Sequence, residues 1–415
     1  MSENQQINLP NSMRYGKSKS TAVSASCSTR QFGATNGSVF NANTNEIRIA
    51  VSSHDGFLDC SRHSLELTIK NLSTDAGDTL TLCSDVACVI DQVRIESNGT
   101  ILETIDRYNM YHNHKMLWST DYSDWRQRGG TSCGPVDDSN TGATIPINSE
   151  ITGTVQLQSG LLLAHHKKAI PMGCSFEIVL RLGVANTVLQ NAADTQVQYE
   201  VINPRFFCPI YKIDNPSVMS DYMQVINTTP ISISGDTAKS YISAIPAGTT
   251  AASISQLNDR SLSLKGVVSM LRANGTLVRN QNSLEARNLN VSSYVFNFDG
   301  QRYPTTDVLL SGTNVGRAYD QLSKVYTDGH SGVVIRTNFL PAVAAGSRQG
   351  SMGVDLKKFD DEQLRMVGMN TARNSSPSTI EVVFSADPGA SELMTFAICE
   401  AVFTRLPNGS LQVAS

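Results

Sequence analysis

Two hairpin signals set half a chain apart constrain this sequence more than any other feature. The first reads Ile90-Asp-Gln-Val-Arg-Ile-Glu-Ser-Asn98-Gly99-Thr-Ile-Leu-Glu-Thr-Ile105, with Asn98-Gly99 between two strand-like runs. A two-residue hairpin turn needs positive φ at both central positions, which Asn tolerates and Gly adopts freely. The second, Tyr294-Val-Phe-Asn-Phe-Asp299-Gly300-Gln-Arg-Tyr-Pro304, has the same form. A helix-like segment follows each, Arg107 to Trp118 in one case and Arg317 to Tyr326 in the other. The turns lie 299 − 98 = 201 residues apart in a chain of 415. Two β domains of one topology in tandem account for that spacing.

The rest of the chain agrees with a β protein. Only 17% of residues are charged, against about 25% in average soluble domains, so strong helix formers such as Lys and Glu are scarce. Period-two alternation begins at Ile47, Ile49 and Val51 and returns at Leu65, Leu67 and Ile69. Further strand-like runs cover 155–163, 176–182 and 197–202, and a polar excursion at 119–150 reads as a long loop. Pro204, Pro209 and Pro216 then cluster, a density that breaks a sheet, so the domain boundary is placed near residue 215. This divides the chain into 45–215 and 216–415, each long enough for an eight-stranded sandwich with short inserted helices. Residues 1–44 form a lead-in. Within 1–30, four bases (Arg14, Lys17, Lys19, Arg30) face one acid (Glu3), 4 − 1 = +3, with no hydrophobic period. That segment reads as a flexible basic arm.

Several functions lose support here. A net charge of −4 gives no reason for a nucleic-acid-binding surface. No apolar run approaches the roughly 18 residues that span a bilayer, and the polar N-terminus does not read as an export signal. The eight cysteines contain no C-x-x-C pair, and Cys83-x4-Cys88 has no second ligand pair nearby, so free buried thiols are expected and zinc is not. His112 and His114 would share a face on a strand, but on the expected helix they point apart. His165-His166-Lys167-Lys168 reads as a solvated basic loop. Asp121 and Asp124 beside Trp118 and Trp125 could imitate a sugar site, although a loop anchored by aromatics is the plainer reading. Neither a nucleophile elbow nor a phosphate-cradling loop occurs. No catalytic, metal or cofactor residues are assigned.

Four local patterns in order along the chain resemble the double jelly-roll major capsid proteins of tailless icosahedral DNA viruses, the lineage of adenovirus, tectivirus, polinton-like virus and virophage capsids. They are Ile90–Ile105 with Tyr108, Tyr199–Ile213 through Tyr222, Ser261–Arg272, and Tyr294–Pro304. The likeness spans residues 45–415 and leaves 1–44 unmatched. It implies an all-β fold of two tandem eight-stranded jelly rolls, and a homotrimer whose six barrels make a pseudo-hexameric capsomer. It further implies contacts with neighbouring capsomers, with vertex (penton) and minor capsid proteins and, in many relatives, with an internal membrane. The protein would assemble inside the host cell and reside in the virion. Asn98, Gly99, Asp299 and Gly300 would be structural turns, and Arg14, Lys17, Lys19 and Arg30 an inner-face arm making at most weak, salt-sensitive contact with nucleic acid. The excursion at 119–150 and a loop around 328–352 would be outer or intersubunit loops.

Two other readings compete with a non-enzymatic shell protein. A glycan-processing hydrolase on tandem jelly rolls needs a clustered acid or metal constellation. A carbohydrate- or receptor-binding protein needs an export signal and paired cysteines. The sequence displays neither set, and a shell protein requires neither.

Overall fold

The structure, a computed structural model, describes residues 24–54, 56–74, 78–120, 127, 129–134, 141–191, 197–250, 252–273, 282–284, 286, 289–310, 315–326, 350–358 and 367–415. Eight principal strands make a first sandwich: β1 (Ala25–Gly33), β2 (Glu46–Ser52), β3 (Ser64–Asn71), β4 (Ile90–Ser97), β5 (Thr100–Asp106), β6 (Glu150–Val155), β7 (Ser175–Leu182) and β8 (Tyr199–Ile213). Eight more make a second: β9 (Ile231–Ile245), β10 (Ala252–Leu257), β11 (Leu264–Ala273), β12 (Val291–Phe298), β13 (Gln301–Leu309), β14 (Met352–Asp355), β15 (Ser378–Phe384) and β16 (Ser391–Arg405).

In the first sandwich the sheets run β1-β8-β3-β6 and β2-β7-β4-β5. In the second they run β9-β16-β11-β14 and β10-β15-β12-β13. Adding eight to each label of the first gives the second, and all pairings are antiparallel. Both halves are therefore jelly rolls of one strand order. The chain is all-β in class, with helices inserted at matching places. α1 (Tyr108–Ser119) lies between β5 and β6, and α3 (Gly316–Tyr326) lies between β13 and β14. A third helix, α2 (Pro216–Thr228), links the rolls. Asn215 caps its start, its side-chain oxygen accepting from the Ser217 and Val218 amides, and Pro216 supplies a preset φ at the first turn.

Alternation builds each core. On β3, Leu65, Leu67 and Ile69 are fully buried while Glu66, Thr68 and Lys70 are half-exposed. On β15, Ile380, Val382 and Phe384 repeat that pattern. The apolar interior forms one contiguous cluster through both rolls. Tyr111 on α1 packs against Phe396 on β16 with ring centroids 5.5 Å apart, and Trp118 packs against Tyr319 on α3 at 5.3 Å.

The structure corrects four expectations. Residues 25–33, assigned to the arm and lead-in, form β1, which pairs with β8 along its whole length. The first roll thus begins at Ala25 rather than at residue 45. An edge strand exposed on both faces has no alternation to read, and its backbone hydrogen bonds leave no trace in the sequence. Pro204 and Pro209 lie inside β8 rather than ending it. Pro204 sits where the register with β3 shifts, and Pro209 uses only its carbonyl, which accepts from the Asp59 amide at 2.9 Å. The strand expected over 155–163 is instead β6, ending at Val155. The excursion at 119–150 is not loop throughout, because residues 129–132 are helical and Thr144–Ile145 is a short strand. Residues 121–126, 135–140 and 327–349, and with them most of the loop expected at 328–352, lie outside the described residues.

Candidate functional site

Among the described residues an extensive polar construction forms the seam between the two rolls, and it starts from a carboxylate on a strand. Glu103 stands opposite Ile95 in the β4–β5 register and shares its face of β5 with Ile105, so it points inward. Segment 157–163 and strand β9 close over it. Its Oε2 accepts from the Ser159 hydroxyl at 2.5 Å, and its Oε1 accepts from the Gly160 amide at 3.0 Å and the Thr237 hydroxyl at 2.5 Å. Burial pushes the Glu103 carboxyl up from its ordinary value, and these three donors oppose that shift. Next to Thr237, Asp236 binds Lys265 Nζ at 2.8 Å and His165 Nε2 at 3.1 Å, joining a loop of the first roll to β9 and β11 of the second. Burial works to raise the Asp236 carboxyl, but the His165 hydrogen bond and the Lys265 ammonium outweigh it and hold the carboxyl well below the usual range.

The backbones also meet here. A Cβ on Gly235 would sit 1.9 Å from the Gly160 carbonyl oxygen, so only glycine permits this approach. Away from that point, Asn282 Nδ2 donates to the Cys83 carbonyl at 2.6 Å and the Ser240 hydroxyl to the Asp106 carbonyl at 2.9 Å. Arg405, 3% exposed, donates to the carbonyls of Met172 (first roll), Ile226 (the last turn of α2) and Leu406. These contacts join the two sandwiches directly through side chains and backbone.

The turn residues stand where the two hairpins place them. Asn98 and Gly99 have φ of 49° and 77°, and Asp299 and Gly300 have φ of 50° and 79°. Asp299 does more than turn the chain. Its Oδ1 accepts from the amides of Ser375 and Ser376 and from the Ser375 hydroxyl, and these bonds lower its carboxyl pKa. Of the arm residues, Arg14, Lys17 and Lys19 lie outside the described residues. Arg30 lies on β1 opposite Cys208, so the structure does not place it in an arm.

His63, His112, His114 and His165 are each held by hydrogen bonds. His112 and His114 diverge on α1: His112 Nε2 meets Asp85 Oδ2 at 3.0 Å, and His114 Nδ1 meets the Tyr326 hydroxyl at 3.0 Å. The other nitrogen of His112 lies 3.3 Å from the Tyr108 hydroxyl, which itself accepts from the Gln158 amide at 2.7 Å. A cavity of about 360 Å³ opens beside this chain, lined by Arg62, His63, Asp85, His112, Ser132 and Gln156 among others. Neither imidazole facing it has a ring nitrogen to spare. Both ring nitrogens of His112 are engaged, and His63 uses one nitrogen on the Cys60 carbonyl and the other to accept from the Leu157 amide. Burial lowers His63 to about 4. His165 begins a single turn of 3-10 helix and serves the seam rather than a solvated loop. None of the eight cysteines forms a disulfide, and Cys83 Sγ lies 3.8 Å from Ser283 Oγ. Among the described residues no group of three His, Cys, Asp or Glu is placed to hold a metal ion, and no helix is long and apolar enough to cross a membrane. Trp118 is buried against Tyr319, while Asp121, Asp124 and Trp125 lie outside the described residues.

No family model and no curated protein matches the sequence. Solved structures do match the fold. The capsid protein VP54 of the virus PBCV-1, fitted into a reconstruction of the virophage Sputnik, is similar with a TM-score of 0.65 at 10% identity, over 97% of this chain and 99% of that one. The Faustovirus major capsid protein gives 0.58 at 9% identity, over 92% and 91%. The mavirus major capsid protein gives 0.51 at 11%, over 100% and 96%. The likeness covers both rolls and their linkage, and with the strand order it establishes the fold as a double jelly roll.

Proposed function

We propose that this chain is a major capsid protein, which trimerises into pseudo-hexameric capsomers and assembles into an icosahedral shell around a DNA genome. One observation carries the reading. Two jelly rolls of identical strand order are fused by a buried polar seam into one body, and capsid proteins match that body end to end. The physical reason is geometric. Three chains of two similar barrels present six near-equivalent faces, so a trimer tiles a hexagonal lattice without needing six-fold symmetry. Rigidity between the rolls matters, because a hinge there would blur the angle between neighbouring faces.

In this reading the partners are two further copies in the capsomer, neighbouring capsomers, and vertex and minor capsid proteins, with an internal membrane in some shells. Residues 1–23 serve as a basic arm tying capsomers together on the inner face, touching nucleic acid weakly at most. The protein acts in the virion and does no catalysis. Size exclusion with light scattering tests the core of the proposal. A species near 3 × 44.9 = 134.7 kDa, with pseudo-hexagonal outlines in negative stain, supports it. A stable monomer of 44.9 kDa overturns it and directs attention to glycan hydrolysis or binding.

A further inference from the structure

α2 is amphipathic, and half of its apolar face is uncovered. At 100° per residue, Val218, Met219, Tyr222, Met223, Val225 and Ile226 fall within an arc of about 160°, and the polar residues fill the remainder. The middle of that arc is used: Ile226 is fully buried and its carbonyl receives Arg405. One edge, Val218, Tyr222 and Val225 at i, i+4 and i+7, is more open, with Val218 half-buried. Tyr222 is 48% exposed and Val225 53%, and the only ring beside Tyr222 among the described residues is Phe57, at 5.5 Å.

The chain itself supplies an occupant. β1 runs antiparallel to β8 with Ala25 opposite Ile213, so the N-terminal segment leaves the sheet at the end where α2 begins. Ser24 marks the spot: its carbonyl accepts from the Asp214 amide at 2.9 Å and its hydroxyl donates to Asp214 Oδ2 at 3.1 Å. The 23 residues before it can reach up to about 80 Å, against about 20 Å for the length of α2. They carry apolar residues at Ile7, Leu9, Met13 and Tyr15, and a charge of 3 − 1 = +2 from Arg14, Lys17, Lys19 and Glu3. The polar side of α2 bears one charge, Asp221, which is exposed.

We infer that the Val218–Tyr222–Val225 stripe is the seat of this chain's own N-terminal segment, residues 1–23. Its apolar residues cover the stripe while its bases lie near Asp221. A lipid surface fits less well, because an interfacial helix draws on Lys and Arg in its polar face and α2 has neither. Face-to-face pairing with a second copy would bring two Asp221 carboxylates together with no base between them. The inference is independent of shell formation. It also gives the arm a mechanism, since exchanging the segment between copies would keep the same contact while linking them.

The test uses the full-length protein. Trypsin cleavage after Arg14, Lys17 and Lys19 is timed in the wild type and in the Tyr222→Ser, Val225→Ser double variant. Faster cleavage in the variant, by about tenfold or more, is expected if the stripe holds the segment. The melting temperature should hold, because both side chains are exposed in the folded body. Equal cleavage rates overturn the inference. A photoreactive cross-linker carried at position 225 reads the occupant directly. Capture of residues 1–23 supports the inference. Capture of another copy's α2, or of lipid in a flotation assay with phosphatidylglycerol vesicles, overturns it.

Discussion

Replacing Gly235 by Ala should break the seam between the rolls while leaving each sandwich intact. The added Cβ would stand 1.9 Å from the Gly160 oxygen and 2.7 Å from its carbon, both backbone atoms that cannot swing aside. Restoring ordinary contact near 3.5 Å requires the strands to part by about 1.5 Å. Glu103 and Gly160 both belong to the first roll, so that movement carries Thr237 on β9 away from Glu103 and takes its 2.5 Å bond beyond hydrogen-bond reach. A hydrogen bond to a buried carboxylate contributes about 1.5–3 kcal/mol, and Glu103 can escape part of the penalty by taking up a proton. A loss of about 2–3 kcal/mol at neutral pH follows. The pH dependence carries the signature. A carboxyl whose folded pKa is raised contributes most below its unfolded value and loses that contribution as pH rises through the folded pKa. Removing that donor raises the folded pKa further, so the deficit of the variant should grow between pH 4.5 and 7.5. Urea unfolding at both pH values measures it, and hydrogen exchange along residues 231–238 locates it. A deficit below about 1 kcal/mol, or one that does not depend on pH, would refute the reasoning.

Four further outcomes are expected. Gly99→Ala and Gly300→Ala place a Cβ in open space, so each should lose only the strain of a left-handed φ, about 1–2 kcal/mol, and the two losses should add; a thermal-unfolding loss above about 3 kcal/mol for either contradicts this. Burial holds His63 near 4 and His114 near 3, well below an unfolded value of about 6.5. Their contribution is complete above pH 6.5 and is lost as pH falls toward those values, with a combined slope of about 2.7 kcal/mol per pH unit between pH 6 and 4; a His63→Gln, His114→Gln variant with an unchanged acid profile would disprove it. A thiol reagent on the native protein should titrate Cys27 quickly, Cys133 slowly and the six buried cysteines only in denaturant, and more than two reactive native thiols would count against the packing described. On the capsomer reading, removing residues 1–23, short of β1, should leave capsomers whole and hinder their joining, whereas loss of the trimer itself would make the segment part of the capsomer.

What could be read in the sequence, and what could not, divides along one physical line. Local chemistry was legible. Asn98-Gly99 and Asp299-Gly300 announce hairpins because few other residues accept positive φ, and the period-two runs announce half-buried strands. The duplicated hairpin-then-helix pattern led to the tandem rolls. Contacts that cross the duplication were not legible. Glu103, Ser159 and Thr237 come from distant parts of the chain, and nothing local links them. The available hint was a carboxylate on a face shared with Ile105, an inward position where a Glu requires partners. β1 stayed hidden for the opposite reason, since an edge strand that buries almost nothing has no pattern to show.

Fusing two copies of one sandwich frees their outer faces to diverge, and these two have. Across β2, β7 and β4 the outward positions hold a charge ladder: Arg48 bridges Glu46 and Glu177, the latter at 2.8 Å, and Arg94 pairs with Glu96. The corresponding face of the second roll carries fewer charges. Glu381 lies opposite Ile254, which is 65% exposed, and on β13 an Arg302–Asp307 pair stands beside Leu309, 45% exposed. Six identical barrels in a ring would repeat one head-to-tail contact six times, whereas three fused pairs make two kinds of contact in alternation. On the capsomer reading, duplication and divergence thus serve one end. The seam would set the angle between the rolls, and the difference between their outer sheets would let neighbouring rolls be told apart.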